Sequence, residues 1–149
     1  MEIRRLSDEW EIYSTMSYFD YKSPELDLFG WVDCNNPKDR VKWIVKYARM
    51  WDVYNQGRWI GYMAATSHYK GRWVFHFAAI SDIDHKSVIP YAWRLFLKQA
   101  RKKNVKMVAV YIPDDRADIR RLARIFKFKH FFGHLWALNL NLKHLKSSR

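Results

Sequence analysis

The segment Val105-Lys106-Met107-Val108-Ala109-Val110-Tyr111-Ile112-Pro113-Asp114-Asp115-Arg116-Ala117-Asp118-Ile119-Arg120-Arg121-Leu122-Ala123-Arg124-Ile125-Phe126-Lys127-Phe128 places two hydrophobic periods back to back. After Lys106 the run to Ile112 is almost wholly apolar, as expected of a strand covered on both faces. Pro113-Asp114-Asp115 interrupts it and offers carboxylates to cap a helix. Beyond that break, Ile119, Leu122, Ala123 and Phe126 recur at helical spacing, with Arg116, Arg120, Arg121, Arg124 and Lys127 on the other side. A covered strand feeding an amphipathic helix is a unit of the α/β class.

Working outward, Ile89, Trp93, Phe96, Leu97 and Ala100 form the stripe of a preceding helix, with Ser87 as its expected cap and Lys102-Lys103-Asn104 at its end. Trp51–Gln56, Arg58–Thr66 and Trp73–Ile80 read as strands of an antiparallel meander, with turns at Gln56-Gly57 and Lys70-Gly71. Upstream, Asn36-Pro37 opens a helix whose stripe is Val41, Ile44, Val45 and Ala48. Residues 20–36 read as irregular. Before them, Ser7 caps a helix to about Phe19, and Met1–Leu6 forms the first strand. At the far end, Trp136, Leu138, Leu140 and Leu142 alternate with Ala137, Asn139 and Asn141, a half-buried strand. The order is β-α-α-β-β-β-α-β-α-β: a mixed antiparallel and parallel central sheet flanked by helices, expected as one domain over residues 1–149.

Composition narrows the classes. Apolar residues are 49% and aromatics 17%, against a disordered chain. No apolar run is long enough to span a membrane. A lone Cys34 excludes an internal disulfide and points to a reducing, cytoplasmic setting. Net charge is +12, unevenly spread: residues 1–75 carry 11 basic and 10 acidic side chains, and residues 76–149 carry 16 and 5. That field attracts phosphate-bearing partners.

The element order, with the segment ending near Gly133, resembles the GNAT N-acetyltransferase superfamily, and among its members the divergent ones carried by bacteriophages. The resemblance implies an acyl-CoA held beside the fourth strand, its pantetheine on the backbone of Trp73–Ile80 and hence of Phe77, Ala78, Ala79 and Ile80. It implies a pyrophosphate on the amides opening the next helix, here Lys86, Ser87 and Val88. The departures are specific. The loop Ser81-Asp82-Ile83-Asp84-His85-Lys86-Ser87-Val88-Ile89-Pro90 has no glycine, so its backbone approaches a phosphate less closely. Pro90, at about the third helical position, would remove a first-turn donor. Asp82 and Asp84 add negative charge. Phe126-Lys127-Phe128 stands where Leu-Gly-Phe is usual, Arg116 where Asn is common, and Ala123 where a Tyr often serves as acid. Tyr111 or a water is then the candidate acid.

His76, on the face of its strand opposite Phe75 and Phe77, is the candidate base for an amine acceptor; the alternative is a partly buried His bonded to a neighbour. Arg116 and Arg120 are candidates to replace the missing phosphate donors. The same arginines with Arg121, Arg124 and Lys127, extended by Lys98, Arg101, Lys102, Lys103 and Lys106, form a candidate surface for nucleic acid, or else a solvated face. Asp82, Asp84 and His85 lack metal-site spacing, and His130 with His134 flanks a turn, so no metal is expected. The tryptophans read chiefly as core rather than base-stacking platforms. Residues 20–36 are candidates to cover an acceptor groove, their acids suiting an amine or a lysine side chain. Two functions follow: acetyl transfer from acetyl-CoA to an amine or protein lysine, or a catalytically silent GNAT-fold protein that binds nucleic acid or a host or phage protein through its basic half.

Overall fold

A computed structural model of the protein describes residues 2–22, 36–69, 71–79 and 85–140. In chain order it contains β1 (Glu2–Leu6), α1 (Glu9–Lys22), α2 (Pro37–Tyr47), β2 (Ala48–Asn55), β3 (Arg58–Tyr69), β4 (Arg72–Ala79), α3 (His85–Lys102), β5 (Met107–Tyr111), α4 (Ala117–Ile125), β6 (Lys129–Phe132) and β7 (Leu135–Asn139). The strands make a seven-stranded sheet in the order β1-β2-β3-β4-β5-β7-β6. Its β4–β5 ladder is parallel, while β1–β2, β2–β3, β5–β7 and β6–β7 are antiparallel. The α/β class and mixed sheet agree with the sequence reading, but β6 is an addition. Its four residues are all exposed at the sheet edge, so no alternation marks it in the sequence.

The chain divides into two compact units, Met1–Thr66 with His76–Ala92 and Ser67–Phe75 with Trp93–Arg149. In the first, Gln56 and Gly57 both have positive φ (52° and 77°), the left-handed pair that turns a tight β2–β3 hairpin. Leu6, Ile12, Met16, Val41, Ile44, Met50, Tyr62 and Ala64 gather α1, α2 and the strands into one apolar cluster. Asn36 accepts a hydrogen bond from the Asp39 amide at 3.0 Å, with Pro37 following, as its cap role requires.

Several expectations are corrected here. The cap of α1 is Asp8, whose Oδ1 accepts from the Glu11 amide at 2.8 Å, rather than Ser7. In α2 only Val41 and Ile44 are buried; Val45 is exposed and Ala48 already begins β2. The backbone of α3 is helical from His85, so Ser87 lies inside the first turn and Pro90 is the sixth helical residue. A proline there withholds the bond to the Lys86 carbonyl but leaves the first four amides, which no helix satisfies internally, in place.

In the second unit, Trp73 and Phe75 of β4 meet Phe96 with ring centroids 5.9 and 4.1 Å apart, and Trp93 meets Phe75 and Phe128 at 5.7 and 5.3 Å. At the end of α3, Asn104 (φ 57°) and the Val105 N–H to Ala100 O bond of 3.0 Å close a left-handed cap. The Gly71 carbonyl then accepts the Lys106 and Met107 amides at 2.7 and 3.1 Å, setting the start of β5. Val108 and Val110 of β5 are buried while Tyr111 is exposed, so the strand is well covered on one face only. Neither Asp114 nor Asp115 caps α4. Arg116 occupies that position without a side-chain cap bond, and Asp114 turns to Arg120 instead. Lys127, just past α4, has φ 72°, a conformation that costs a side-chain-bearing residue roughly 1–2 kcal/mol.

Candidate functional site

The β4–β5 ladder runs from Arg72 opposite Met107 to Phe75 opposite Val110. β4 continues four residues past that last pair, as His76, Phe77, Ala78 and Ala79. Three of the residues expected to hold a cofactor through their backbone therefore lie on the extension; Ile80 is outside the described residues. His76 is half-buried, and its Nε2 lies 3.2 Å from the hydroxyl of Thr66 on β3, itself 1% exposed. The tautomer decides the chemistry. With Nε2–H donating to Thr66 Oγ1, the basic lone pair is on Nδ1; with the hydroxyl donating to Nε2, the imidazole has no basic nitrogen to spare.

Lys86, Ser87 and Val88 fall in the first turn of α3. The first turns of α1, α2 and α4 hold Glu9 with Glu11, Asp39 and Asp118, whereas that of α3 holds no acid. Four amide donors and the positive end of an 18-residue helix suit a phosphate group. Asp82 and Asp84 lie outside the described residues, as do Cys34 and residues 23–35 of the segment expected to cover an acceptor groove. Residues 20–22, expected as irregular, are the last turn of α1.

Tyr111, Arg116 and Arg120 belong to the second unit. The Tyr111 side chain is 62% exposed on the last residue of β5, opposite Leu135. Arg116 makes a bidentate pair with Asp118, Nε and Nη2 each 3.1 Å from a carboxylate oxygen. That bond raises the Arg116 pKa and lowers that of Asp118. Arg120 reaches Asp114 at 3.0 Å, while its Nε is buried without a partner. The Arg124 guanidinium lies 5.4 Å from the Trp136 ring centroid. The basic face of α4 is thus largely matched by the protein itself. Ala123 is buried, so the position where a tyrosine acid was compared supplies only a methyl group to the core.

One polar group escaped sequence reading. Asp52 of β2 is 7% exposed, and its Oδ1 accepts from Thr15 Oγ1 of α1 at 3.2 Å and from Trp59 Nε1 of β3 at 3.1 Å. Burial raises its pKa, against the lowering effect of those two bonds. A lone aspartate inside an aromatic-rich strand run was the available signal, since Asp is depleted in strands.

His130 donates from Nε2 to the Gly133 carbonyl at 2.8 Å, and His134 lies 3.6 Å from Asp114. Among the described residues, no group of three His, Cys, Asp or Glu side chains is arranged to hold a metal, and no helix is long and apolar enough to cross a membrane. Trp51, Trp73, Trp93 and Trp136 are buried and Trp10 is exposed.

No protein-family model matches the sequence, and no curated protein matches it. Solved structures do match the fold. Ribosomal-protein-alanine N-acetyltransferase from Brucella melitensis superposes with a TM-score of 0.68 at 14% identity, over 94% of this chain and 100% of that one. Campylobacter jejuni N-acetyltransferase PseH, in complex with acetyl coenzyme A, gives 0.63 at 13%, over 93% and 99%. Aminoglycoside 6'-acetyltransferase type Ii gives 0.66 at 12%, over 93% and 97%. The fold is that of the GNAT acetyltransferases. At such identities the likeness speaks for the GNAT architecture, and the chemistry rests on the residues above.

Proposed function

We propose that this GNAT-fold chain transfers an acetyl group from acetyl-CoA to an amine, either a small amine or a protein lysine. The observation that carries the reading is the end-to-end match with the Brucella N-acetyltransferase. The backbone of Phe77, Ala78, Ala79 and Ile80 would hold the pantetheine arm. The amides of Lys86, Ser87 and Val88 would hold phosphate. Bound acetyl-CoA supplies a thioester activated toward an amine. In this assignment His76 takes the amine's proton through Nδ1, with Thr66 Oγ1 accepting from Nε2–H and so fixing the tautomer. Tyr111 is the acid.

Acetyl-CoA at a hundred times its Kd should stabilise the folded chain by about 2.7 kcal/mol, seen as a higher Tm. Thiol release with a panel of amines should accompany it. His76→Ala should lower kcat by roughly 10²–10⁴-fold. Thr66→Val should lower kcat and shift the pH–rate profile, with Thr66→Ser restoring both. Absence of a Tm shift together with absence of thiol release overturns the reading.

A second reading, a catalytically silent binding protein, is favoured by one observation. Arg116 and Arg120, the arginines expected to grip phosphate, are paired with Asp118 and Asp114. To hold a phosphate each must exchange one anion for another. Exposed pairs of this kind are worth about 0–1 kcal/mol, so the exchange is cheap but brings little gain. Arg116→Ala and Arg120→Ala that leave the acetyl-CoA Tm shift unchanged would remove both from the cofactor site.

A further inference from the structure

Among the described residues of the basic half, several cations without an ion-pair partner gather at one cleft, unlike Arg116 and Arg120 of α4. In the second unit, the end of α3, the segment after α4, and strands β5, β6 and β7 enclose a cleft of about 780 Å³. Arg101, Lys127 and Lys129 line it together with Met107, Phe126 and Phe131, and among the described residues no acidic side chain does. Among the described residues none of these three cations has an ion-pair partner, unlike Arg116 and Arg120.

Two backbone irregularities aim side chains at this cleft. Lys127 keeps a long cationic side chain at φ 72°, where glycine would carry no strain. Phe131 is the extra residue of a β6 bulge, because His130 pairs with Trp136 and Phe132 with Leu135. A bulge at a sheet edge redirects a side chain, and Phe131 is 59% exposed there.

We infer that this cleft binds single-stranded nucleic acid, with phosphates on Arg101, Lys127 and Lys129 and a base stacked on Phe131. Unpaired cations around an exposed aromatic in a groove are what such ligands require, since every base has a π-face and every nucleotide a charge. An acidic peptide would use the cations but leave the aromatic unexplained. A second copy of the chain would bring like charge to like charge.

The test is fluorescence anisotropy of the full chain with short labelled oligo(U) and oligo(dT) across a salt series. Affinity should fall steeply with salt. Lys127→Gly is the decisive variant: it relieves strain, so Tm should rise, while affinity falls and the log–log salt slope becomes shallower by about 0.7. Arg101→Ala and Lys129→Ala should each lose a similar increment of slope. Phe131→Ala should weaken binding by roughly 5- to 100-fold with the slope unchanged. Arg121→Ala, on the α4 face, should match the parent. No binding by the parent, an unaltered slope in Lys127→Gly, or a poly-glutamate peptide or anionic vesicles binding as tightly as the oligonucleotide would each overturn the inference.

Discussion

At the scale of single residues, Asp52 shows how burial and hydrogen bonding oppose each other. Its carboxyl is held above the ordinary value of 3.8 by loss of solvent, although Thr15 and Trp59 both donate to it. The folded chain then binds more protons than the unfolded chain between pH 3.8 and the raised value. The Asp52 contribution is therefore most favourable at the acid end, declines as pH climbs through that window, and is level above it. Asp52→Asn keeps an acceptor for both donors and discards the charge. Urea unfolding across pH should find it more stable than the parent above the window, with the parent-minus-variant difference flat there and changing only inside it. Asp52→Ala leaves the Thr15 hydroxyl and the Trp59 indole without their acceptor and should cost about 1–3 kcal/mol at neutral pH. A difference curve that is flat at every pH would show that Asp52 titrates alike in both states.

At the scale of elements, turns and caps set the register on which the candidate site depends. Gly71 (φ 77°) ties the approach to β4 to the first residues of β5 through its carbonyl. An added Cβ would meet Lys106 at 3.4 Å, an ordinary contact with a flexible side chain, whereas at Gly57, with the same φ of 77°, it would meet nothing within 4 Å. Gly57→Ala and Gly71→Ala should therefore each lose about 1–2 kcal/mol, from backbone strain alone. Denaturant melts giving a much larger loss at Gly71 would mean that the Lys106 stem cannot yield. Elements with a local cause were legible in the sequence: Asn36-Pro37 opens α2, and Ile89, Trp93, Phe96, Leu97 and Ala100 mark the buried side of α3. Where several residues compete for one role the sequence misled. Ser7 stands beside the better-placed Asp8, and Ser87 reads as the cap of α3 although that helix already begins at His85. The candidate site divides the same way. Alternation around Phe75 and Phe77 put His76 on the other face of its strand, but its partner Thr66 comes from a neighbouring strand, and no local pattern announces that. The pairing of Asp114 with Arg120 spans a break and a helix start, which helical spacing does not reveal.

At the scale of the whole molecule, the excess of cations sets the electrostatics. With 27 basic and 15 acidic side chains, the folded chain repels itself, and compaction brings those cations closer than unfolding does. Two opposing effects respond to salt. Screening weakens the repulsion, and it also weakens exposed pairs such as Arg4 with Glu11 and Arg116 with Asp118. Such pairs are worth about 0–1 kcal/mol each, whereas the net charge is +12, so the repulsion should prevail. Raising sodium chloride from roughly 10 to 150 mM shortens the Debye length from about 30 to 8 Å, and Tm should rise over that range. The rise should be smaller in a double charge-removal variant, Lys102→Gln with Lys103→Gln. These two exposed residues at the end of α3 lie outside the proposed sites, so the smaller response would report field rather than ligand. A Tm that falls with salt would mean that the paired arginines of α4, rather than the unpaired cations, govern the electrostatics of the folded chain.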